Sequence, residues 1–170
     1  MLFARDALRI AIATEQSGVE FYSRAAKAAT DPRGRNVFQR LADEERVHLS
    51  ALEARYQRLL AHDPRLEARP TFLFFKGAAN GLFAAGADEV ARGVDDLEAL
   101  RIGVRCERTS HRFFKRYGEK FEDSDGKQLF LGFASEERSH LELLIREYRS
   151  ASRRRGRRRP ASRPRRAEAS

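Results

Sequence analysis

The chain has 170 residues, of which 41% are hydrophobic and 35% are charged. This length fits one domain, and the charge content excludes an integral membrane protein while it allows a soluble, helical one. Cys106 is the only cysteine, so the chain can form neither an intrachain disulfide nor a four-thiolate metal site.

Four long helical patterns follow one another along the chain, and no region alternates with the two-residue period of a strand. They are predicted over residues 6–29, 35–61, 95–117 and 127–150. The links inside each pair are short, whereas roughly 30 residues separate the second helix from the third. This order predicts an all-α four-helix bundle of two helical hairpins joined by a long crossover.

Neither the beginning of the chain nor the crossover resembles a targeting or membrane segment. Arg5 and Asp6 place charges at the start, where a secretory signal would continue into an apolar stretch. The crossover is most apolar over residues 71–87, but it contains Lys76 and falls short of the roughly 20 apolar residues of a spanning helix. We therefore expect no transmembrane segment, a buried or interfacial crossover and a cytoplasmic location.

The formal net charge of +9 belongs almost entirely to the end of the chain. Residues 151–170 hold nine arginines and one acid, Glu168, so this segment has a net charge of +8 and the other 150 residues have +1. From Pro160 onward there is no large apolar residue that could offset the entropy of ordering. The prediction is a domain over residues 1–150 followed by a disordered arginine-rich tail over residues 151–170.

The two halves of the chain repeat each other at an offset of 92 residues. Residues 42–52 and 134–144 are identical at seven of eleven positions, including a shared Glu-Glu-Arg-x-His motif. Residues 15–22 and 107–114 match more loosely at the same offset. A single offset over both blocks predicts that each half is one helical hairpin.

The repeated motifs place acids and histidines on the inner faces of the helices. Steps of three and four residues give each helix a stripe that is apolar at its ends and polar at its middle. The polar positions are Glu15, Glu45, His48, Glu107, His111, Glu137 and His140. Four glutamates and two or three histidines are thus predicted to point into the core at one level.

Buried carboxylates of this kind must be neutralised, paired or bound to metal. The stripes carry no cations for pairing, and a Glu and a His at positions i and i+3 form a two-pronged ligand on one helical turn. The arrangement matches the carboxylate pattern of di-iron bundles, in which four carboxylates balance two divalent ions. Oxygen-rich ligands with two imidazoles favour two iron ions, with manganese as the alternative. A single Glu-x-x-His motif would more often lie on a solvated face, but two with partner glutamates favour the metal site.

At these residues the chain resembles the rubrerythrin-like branch of the ferritin-like di-iron superfamily, over about residues 5–150. The motifs that carry the resemblance are Glu15-x-x-Gly18-x-x-Phe21-Tyr22 and the two Glu-Glu-Arg-x-His blocks. The resemblance implies a ferritin-like bundle, a reaction with peroxide or dioxygen, and a homodimer. It also implies six metal ligands, with Glu45 and Glu137 bridging, namely Glu15, Glu45, His48, Glu107, Glu137 and His140.

Two departures from the rubrerythrin pattern bear on the reaction. Rubrerythrins carry a four-cysteine rubredoxin domain, which a chain with one cysteine lacks, so the resemblance implies an external electron donor protein. Rubrerythrins also have a second carboxylate one turn after the ligand of the third helix, where this chain has Ser110. Both departures favour ferrous-iron oxidation over efficient peroxidase turnover.

Two further residues, Tyr22 and His111, each have two interpretations. Tyr22 could hydrogen-bond a ligand carboxylate or relay an electron, and His111 could act as a base or extra ligand beside the metals. Each could equally be a core side chain with its polar atoms satisfied. Cys106 is expected to be inert packing, and Glu44 and Glu136 are expected to be solvated.

The function predicted from the sequence is that of a di-iron oxidoreductase of the ferroxidase or peroxidase type, which handles iron and oxidative stress. One alternative is an oxygenase that acts on an organic substrate such as a quinone. A second is a DNA-associated iron-sequestering protein that binds nucleic acid or another anionic partner through residues 153–166. A purely structural bundle is the third.

Overall fold

The computed structural model describes residues 4–68, 83–120 and 124–158. The helices of the bundle are α1 (Ala4–Ala28), α2 (Pro32–His62), α4 (Asp96–Gly118) and α5 (Ser124–Arg158). A 3-10 turn at Pro64–Leu66 follows α2, and the described end of the crossover contains helix α3 over residues 83–91. No strand occurs within the described ranges, so the prediction of an all-α fold is confirmed.

The helices pack as two hairpins, α1 with α2 and α4 with α5, and α5 contacts both helices of the first hairpin. Short links force each helix to pack against its chain neighbour, whereas the crossover of residues 67–95 separates the hairpins along the chain. This is the ferritin-like bundle of two hairpins that the repeat predicts.

Local capping explains where α2 and α4 begin. The Asp31 carboxylate accepts a hydrogen bond from the backbone N–H of Arg33 at 3.0 Å. Asp95 caps α4 in the same way, accepting from the backbone N–H of Glu98 at 2.9 Å. Helix α2 begins three residues before the predicted start, because Pro32 has no N–H to lose and suits the first turn of a helix.

Two apolar clusters fill the ends of the bundle and leave a polar level between them. One is built around Phe21, Tyr22 and Phe38, and the other around Phe114 and Phe130. The rings of the second cluster meet edge to face with centroids 5.2 Å apart, which is a favourable geometry for aromatic pairs. These clusters flank the glutamates and histidines and limit the access of water from either end.

The described part of the crossover packs against the bundle. Phe83 at the beginning of α3 is buried, and a Cβ atom added at Gly86 would lie 2.9 Å from both Cys106 Sγ and Ile102 Cγ2. Phe83, Gly86 and Ala87 are buried while Ala84 and Ala85 are exposed, so this part of the crossover is buried on one face, and residues 71–82 of the predicted apolar stretch lie outside the described chain. Within the described ranges, no helix is both long enough and apolar enough to cross a bilayer.

Helix α5 continues to Arg158, so the prediction that the disordered tail begins at residue 151 is wrong for residues 151–158. Arg154 forms ion pairs with Asp31 at 2.8 Å and with Glu147 at 2.7 Å, and Arg155 pairs with Asp95 at 2.7 Å. Two of these partners are the caps of α2 and α4, which folding brings to the end of α5. The rest of the predicted tail, residues 159–170, lies outside the described chain.

The close approach of α3 to α4 gives a stability test at Gly86. Gly86→Ala should lower the free energy of unfolding by about 1–3 kcal/mol, because Cys106 and Ile102 must shift to admit the methyl group. Gly132→Ala is the matched control, since nothing lies within 4 Å of a Cβ atom there, and it should add up to about 1 kcal/mol. Urea denaturation measures both, and equal changes would contradict the packing of α3.

Candidate metal centre

Each bundle helix contributes one glutamate to the middle of the core. Glu15, Glu45, Glu107 and Glu137 are each at most 3% exposed, which is rare for glutamate in proteins. Glu15 comes from α1, Glu45 from α2, Glu107 from α4 and Glu137 from α5. The four therefore form a buried acidic level that the fold has to neutralise.

Two compact groups of ligand atoms lie at this level. Oxygen and nitrogen atoms of Glu15, Glu45 and His48 lie within 4.8 Å of one another, and so do those of Glu45, Glu107 and His140. Glu45 belongs to both groups and so occupies the position of a bridge. The two imidazole rings lie nearly parallel, with centroids 5.9 Å apart.

Glu137 matches Glu45 in the repeat, but the two side chains occupy different positions in the centre. It is fully buried and close to Glu107, whose charge raises its pKa, but it belongs to neither of the two compact groups found among the described residues. The structure thus brings five of the six predicted ligands into two groups and holds Glu137 beside them. A bridging role for Glu137 stays a prediction.

Protons are shared unevenly among the four carboxyl groups. Burial is the main cause that raises the pKa values of Glu15 and Glu137 well above the ordinary value, and neighbouring carboxylates raise them further. Burial also opposes ionisation of Glu45, but the neighbouring Glu15 and His140 side chains outweigh this effect and lower its pKa. Of these three carboxyl groups, Glu45 therefore ionises most readily, because its pKa is lowered while the pKa values of Glu15 and Glu137 are raised.

His140 supplies the balancing cation. Its Nδ1 atom lies 3.1 Å from Glu45 Oε1 and 3.6 Å from Glu107 Oε1. Burial disfavours the charged imidazole, but these two carboxylates more than offset it and raise the pKa of His140 to about 10. The metal-free centre thus contains a buried imidazolium that a metal ion would have to displace.

The hydrogen-bonding capacity of the centre is not fully satisfied by the described residues. Several of its polar atoms are buried without a hydrogen-bond partner among the described residues: Glu15 Oε2, Glu45 Oε1, Glu107 Oε2, Glu137 Oε2, His140 Nδ1 and Ser110 Oγ. Glu45 Oε1 and His140 Nδ1 are near enough for an ion pair yet are not aligned for a hydrogen bond. Converging carboxylate oxygens with an imidazole nitrogen fit a hard or borderline divalent cation.

Two residues of α1 shape the space around these ligands. The Tyr22 hydroxyl is buried and donates a hydrogen bond to Glu107 Oε1, as one of the two sequence readings predicts. Burial, followed by the charge of Glu107, raises the pKa of Tyr22 well above its ordinary value, so the hydroxyl keeps its proton. At Gly18 a Cβ atom would lie 3.2 Å from Glu45 Cδ, so the glycine makes room for the Glu45 carboxylate.

The other side chains singled out from the sequence lie at the edge of the centre. His111 Nδ1 donates a hydrogen bond to the backbone carbonyl of Ala134 at 2.6 Å, which fits a satisfied core histidine. Cys106 is buried, and burial raises the pKa of its thiol to about 12, as inert packing would require. Glu136 is exposed, as expected, and its Oε2 atom lies 3.9 Å from His48 Nδ1. Glu44 was also expected to be solvated, but it is half-buried and its Oε2 atom lies 3.3 Å from His140 Nε2. The repetition of the paired glutamates at the same offset is the signal that could have indicated this.

The centre is more open on the side of His48. The side chain of His48 is 25% exposed, against 7% for His140. A surface pocket reaches His48 and is lined by Arg40, Asp43, Glu44 and Val47. Of the two histidines, His48 is therefore the one nearer to the surface.

Fold and centre together define a ferritin-like helical bundle with a buried carboxylate–histidine site suited to metal. The sequence model described as Rubrerythrin matches residues 6–79, a segment that includes Glu15, Glu45 and His48. The match confirms the rubrerythrin-like resemblance over this segment, and residues 134–144 of the second hairpin repeat residues 42–52 within it. No curated protein and no solved structure matches the chain significantly.

The buried imidazolium predicts how the stability of the metal-free protein depends on pH. His140 has a raised pKa in the folded state, so its stabilisation is complete below its ordinary value of 6.5 and is lost as the pH rises through about 10. The free energy of unfolding should fall across this range by up to about 1.4 kcal/mol per pH unit for each proton released. Urea denaturation with chelator at several pH values measures this.

Two variants separate His140 from the other titrating groups. His140→Gln should make the fall shallower, whereas His62→Gln replaces an exposed histidine after α2 and should leave the slope unchanged. The same slope in all three proteins would show that His140 is neutral in the folded state.

Proposed function

We propose that the chain binds two iron ions at this centre and is a di-iron oxidoreductase that oxidises ferrous iron with peroxide or dioxygen. The observation that carries the proposal is the pair of ligand groups that share Glu45, lined by buried atoms without partners. A bundle that binds no metal would be destabilised by four carboxylates at one level, because each is costly to bury.

The proposed ligands fall into two sets around the shared Glu45. Glu15 and His48 would hold one ion. Glu107 and His140 would hold the other, with Glu137 as a further ligand beside Glu107. Two bound ferrous ions would supply two electrons, which would reduce peroxide to water or dioxygen to peroxide. Manganese fits the same ligands, so the identity of the metal needs a direct test.

The protein's own contribution is charge balance and the control of protons. Entering ions would displace protons from His140, whose pKa is raised to about 10, and from the carboxyl groups of Glu15 and Glu137, whose pKa values burial raises. The Tyr22 hydroxyl holds one oxygen of Glu107 and leaves the other free for an ion. The apolar clusters at both ends keep water out, so these charges act in a medium of low dielectric constant.

Ser110 favours ferrous iron as the substrate over a rapid peroxidase cycle. The rubrerythrin resemblance implies a second carboxylate at this position, whereas Ser110 offers a buried hydroxyl without a partner. With fewer carboxylates, a ferric product is held less tightly, which suits its release. Repeated turnover with peroxide would then depend on an external electron donor protein, and we propose such a donor and a homodimer as partners.

The other hypotheses have less support among the described residues. Binding of nucleic acid was assigned to residues 153–166, but Arg154 and Arg155 already pair with acids of the bundle. The apolar crossover that would receive a quinone lies largely outside the described residues. Neither hypothesis is proposed as the main function.

Anaerobic addition of ferrous iron to the metal-free protein tests the proposal directly. The parent chain should bind two iron ions, and chelator competition should show that binding raises thermal stability. The variant Glu45→Ala/Glu137→Ala should lose specific binding of both ions, because it removes the shared ligand and one neighbour. Dioxygen or peroxide added to the loaded protein should then oxidise both ions at a rate above that of free iron.

Matched variants away from the centre control for charge and folding. Glu20→Ala/Glu142→Ala removes two exposed glutamates from α1 and α5, and it should keep both ions. If the parent chain binds neither iron nor manganese while circular dichroism shows a folded bundle, the centre is structural and the proposed function is wrong.

A further inference from the structure

A groove with basic walls lies between α4 and α5 on the surface of the second hairpin. Arg101, Arg105 and Arg108 line it from α4, and Arg149 lines it from α5. All four side chains are exposed. Within the described chain, neither an acid nor a lysine lines the groove, so its charge comes from guanidinium groups alone.

The floor of the groove is apolar and held in place by the core. It consists of Val104, Ile145 and Tyr148, each of which is half-buried. Val104 and Tyr148 also pack against the apolar cluster around Phe21 and Phe38, so a ligand would have little of the floor to immobilise. A partner that covered the groove would bury this apolar surface between two rows of positive charge.

The arginines of the groove are free to accept new partners. Arg108 and Arg149 have neither an ion pair nor a hydrogen bond among the described residues. Arg101 lies 2.8 Å from a carboxylate oxygen of Glu98, and Arg105 lies 2.5 Å from one of Glu89. Because ion pairs at the surface contribute little to stability, carboxylates of a partner could replace these two acids at small cost.

The arginines on the α4 side repeat with helical spacing. Arg101, Arg105 and Arg108 follow one another in steps of four and three residues, which places them on one side of α4 over roughly 10 Å of the helix axis. An acidic helix with glutamates in the same steps would present its carboxylates at the same spacing. Arginine and carboxylate groups form two-pronged, charge-assisted hydrogen bonds, so each pair would add direction as well as affinity.

We propose that the groove between α4 and α5 is the docking site for an acidic, amphipathic helix of a partner protein. Apolar side chains of that helix would cover Val104, Ile145 and Tyr148, and glutamates on either side of them would meet the four arginines. Helices bind grooves in this way through anchors at every third or fourth position. Arginine and tyrosine are also the residues that most often dominate the binding energy of protein interfaces.

Two other occupants fit this groove less well. The chain has a net charge of +9, and the row of arginines continues from the groove to the exposed Arg112, so two copies of this face would repel each other. The phosphates of a nucleic acid would pair with the arginines but would leave the apolar floor uncovered. Only an occupant that is both acidic and apolar matches the walls and the floor together.

Binding of a fluorescein-labelled peptide of about 18 residues, a length at which a helix can form in water, tests the proposal. The peptide has leucines at every third or fourth position with glutamates on either side of them. One control peptide replaces the leucines with alanine, which preserves the helix, and another replaces the glutamates with glutamine. At an ionic strength of about 0.15 M, where long-range attraction is screened, the parent protein should bind the first peptide. Each control peptide should bind at least about tenfold more weakly.

Matched variants of the protein locate the site. Arg108→Gln/Arg149→Gln removes two charges from the groove and should weaken binding of the leucine peptide by about tenfold or more. Arg55→Gln/Arg58→Gln removes two exposed arginines of α2 that likewise have no ion pair within the described ranges, and it should change binding by less than about twofold. Thermal melting followed by circular dichroism shows that all three proteins are folded.

Three results would overturn the proposal. They are the absence of saturable binding up to about 1 mM peptide, equal weakening by the two pairs of substitutions, and equal binding of the leucine and alanine peptides. Single-stranded DNA of the same charge should bind the parent more weakly than the leucine peptide. If the DNA binds more tightly and displaces the peptide, the groove is a nucleic-acid site and the proposal is wrong. The measurements use the full chain and need no metal, so they are independent of the proposed iron chemistry.

Discussion

Four glutamates buried at one level of a helical bundle are the constraint on which the rest of this structure depends. Ionised carboxylates cannot remain unpaired in the apolar interior of a protein. Several features of the centre offset their charge. The raised pKa values of Glu15 and Glu137, the His140 ring beside Glu45 and the Tyr22 hydroxyl on Glu107 all reduce the unbalanced charge. Two divalent ions would replace the protons and leave the level neutral.

The same level explains why the apolar core is divided. Aromatic clusters on either side supply most of the burial that stabilises the bundle, while the polar level between them detracts from it. Atoms without partners, such as Glu107 Oε2 and Glu137 Oε2, represent stability that the metal-free protein lacks. Ligand binding to the folded state alone would restore it, so metal content and stability are linked.

The internal repeat copies the ligands but not their surroundings. Gly18 of the first half leaves room for Glu45, while the second half has Ser110, a buried hydroxyl, at the matching position. Arg40 anchors Glu44 in the first half, while Gly132 leaves Glu136 without that anchor. The two ligand groups that share Glu45 therefore have different environments, one enclosed around His140 and one nearer the surface at His48.

The sequence by itself determined the helices, their pairing and the inward positions of the acids and histidines, because a 3.6-residue period and a constant offset act along one chain. Only the tertiary structure decided contacts that depend on how neighbouring helices are rotated and placed. Glu44 meets His140 across two helices, Glu137 lies outside the compact groups, and His111 bonds to a backbone carbonyl. Helix α5 likewise extends past residue 150 because folding brings Asp31 and Asp95 to its arginines, and no periodicity within α5 records those distant partners.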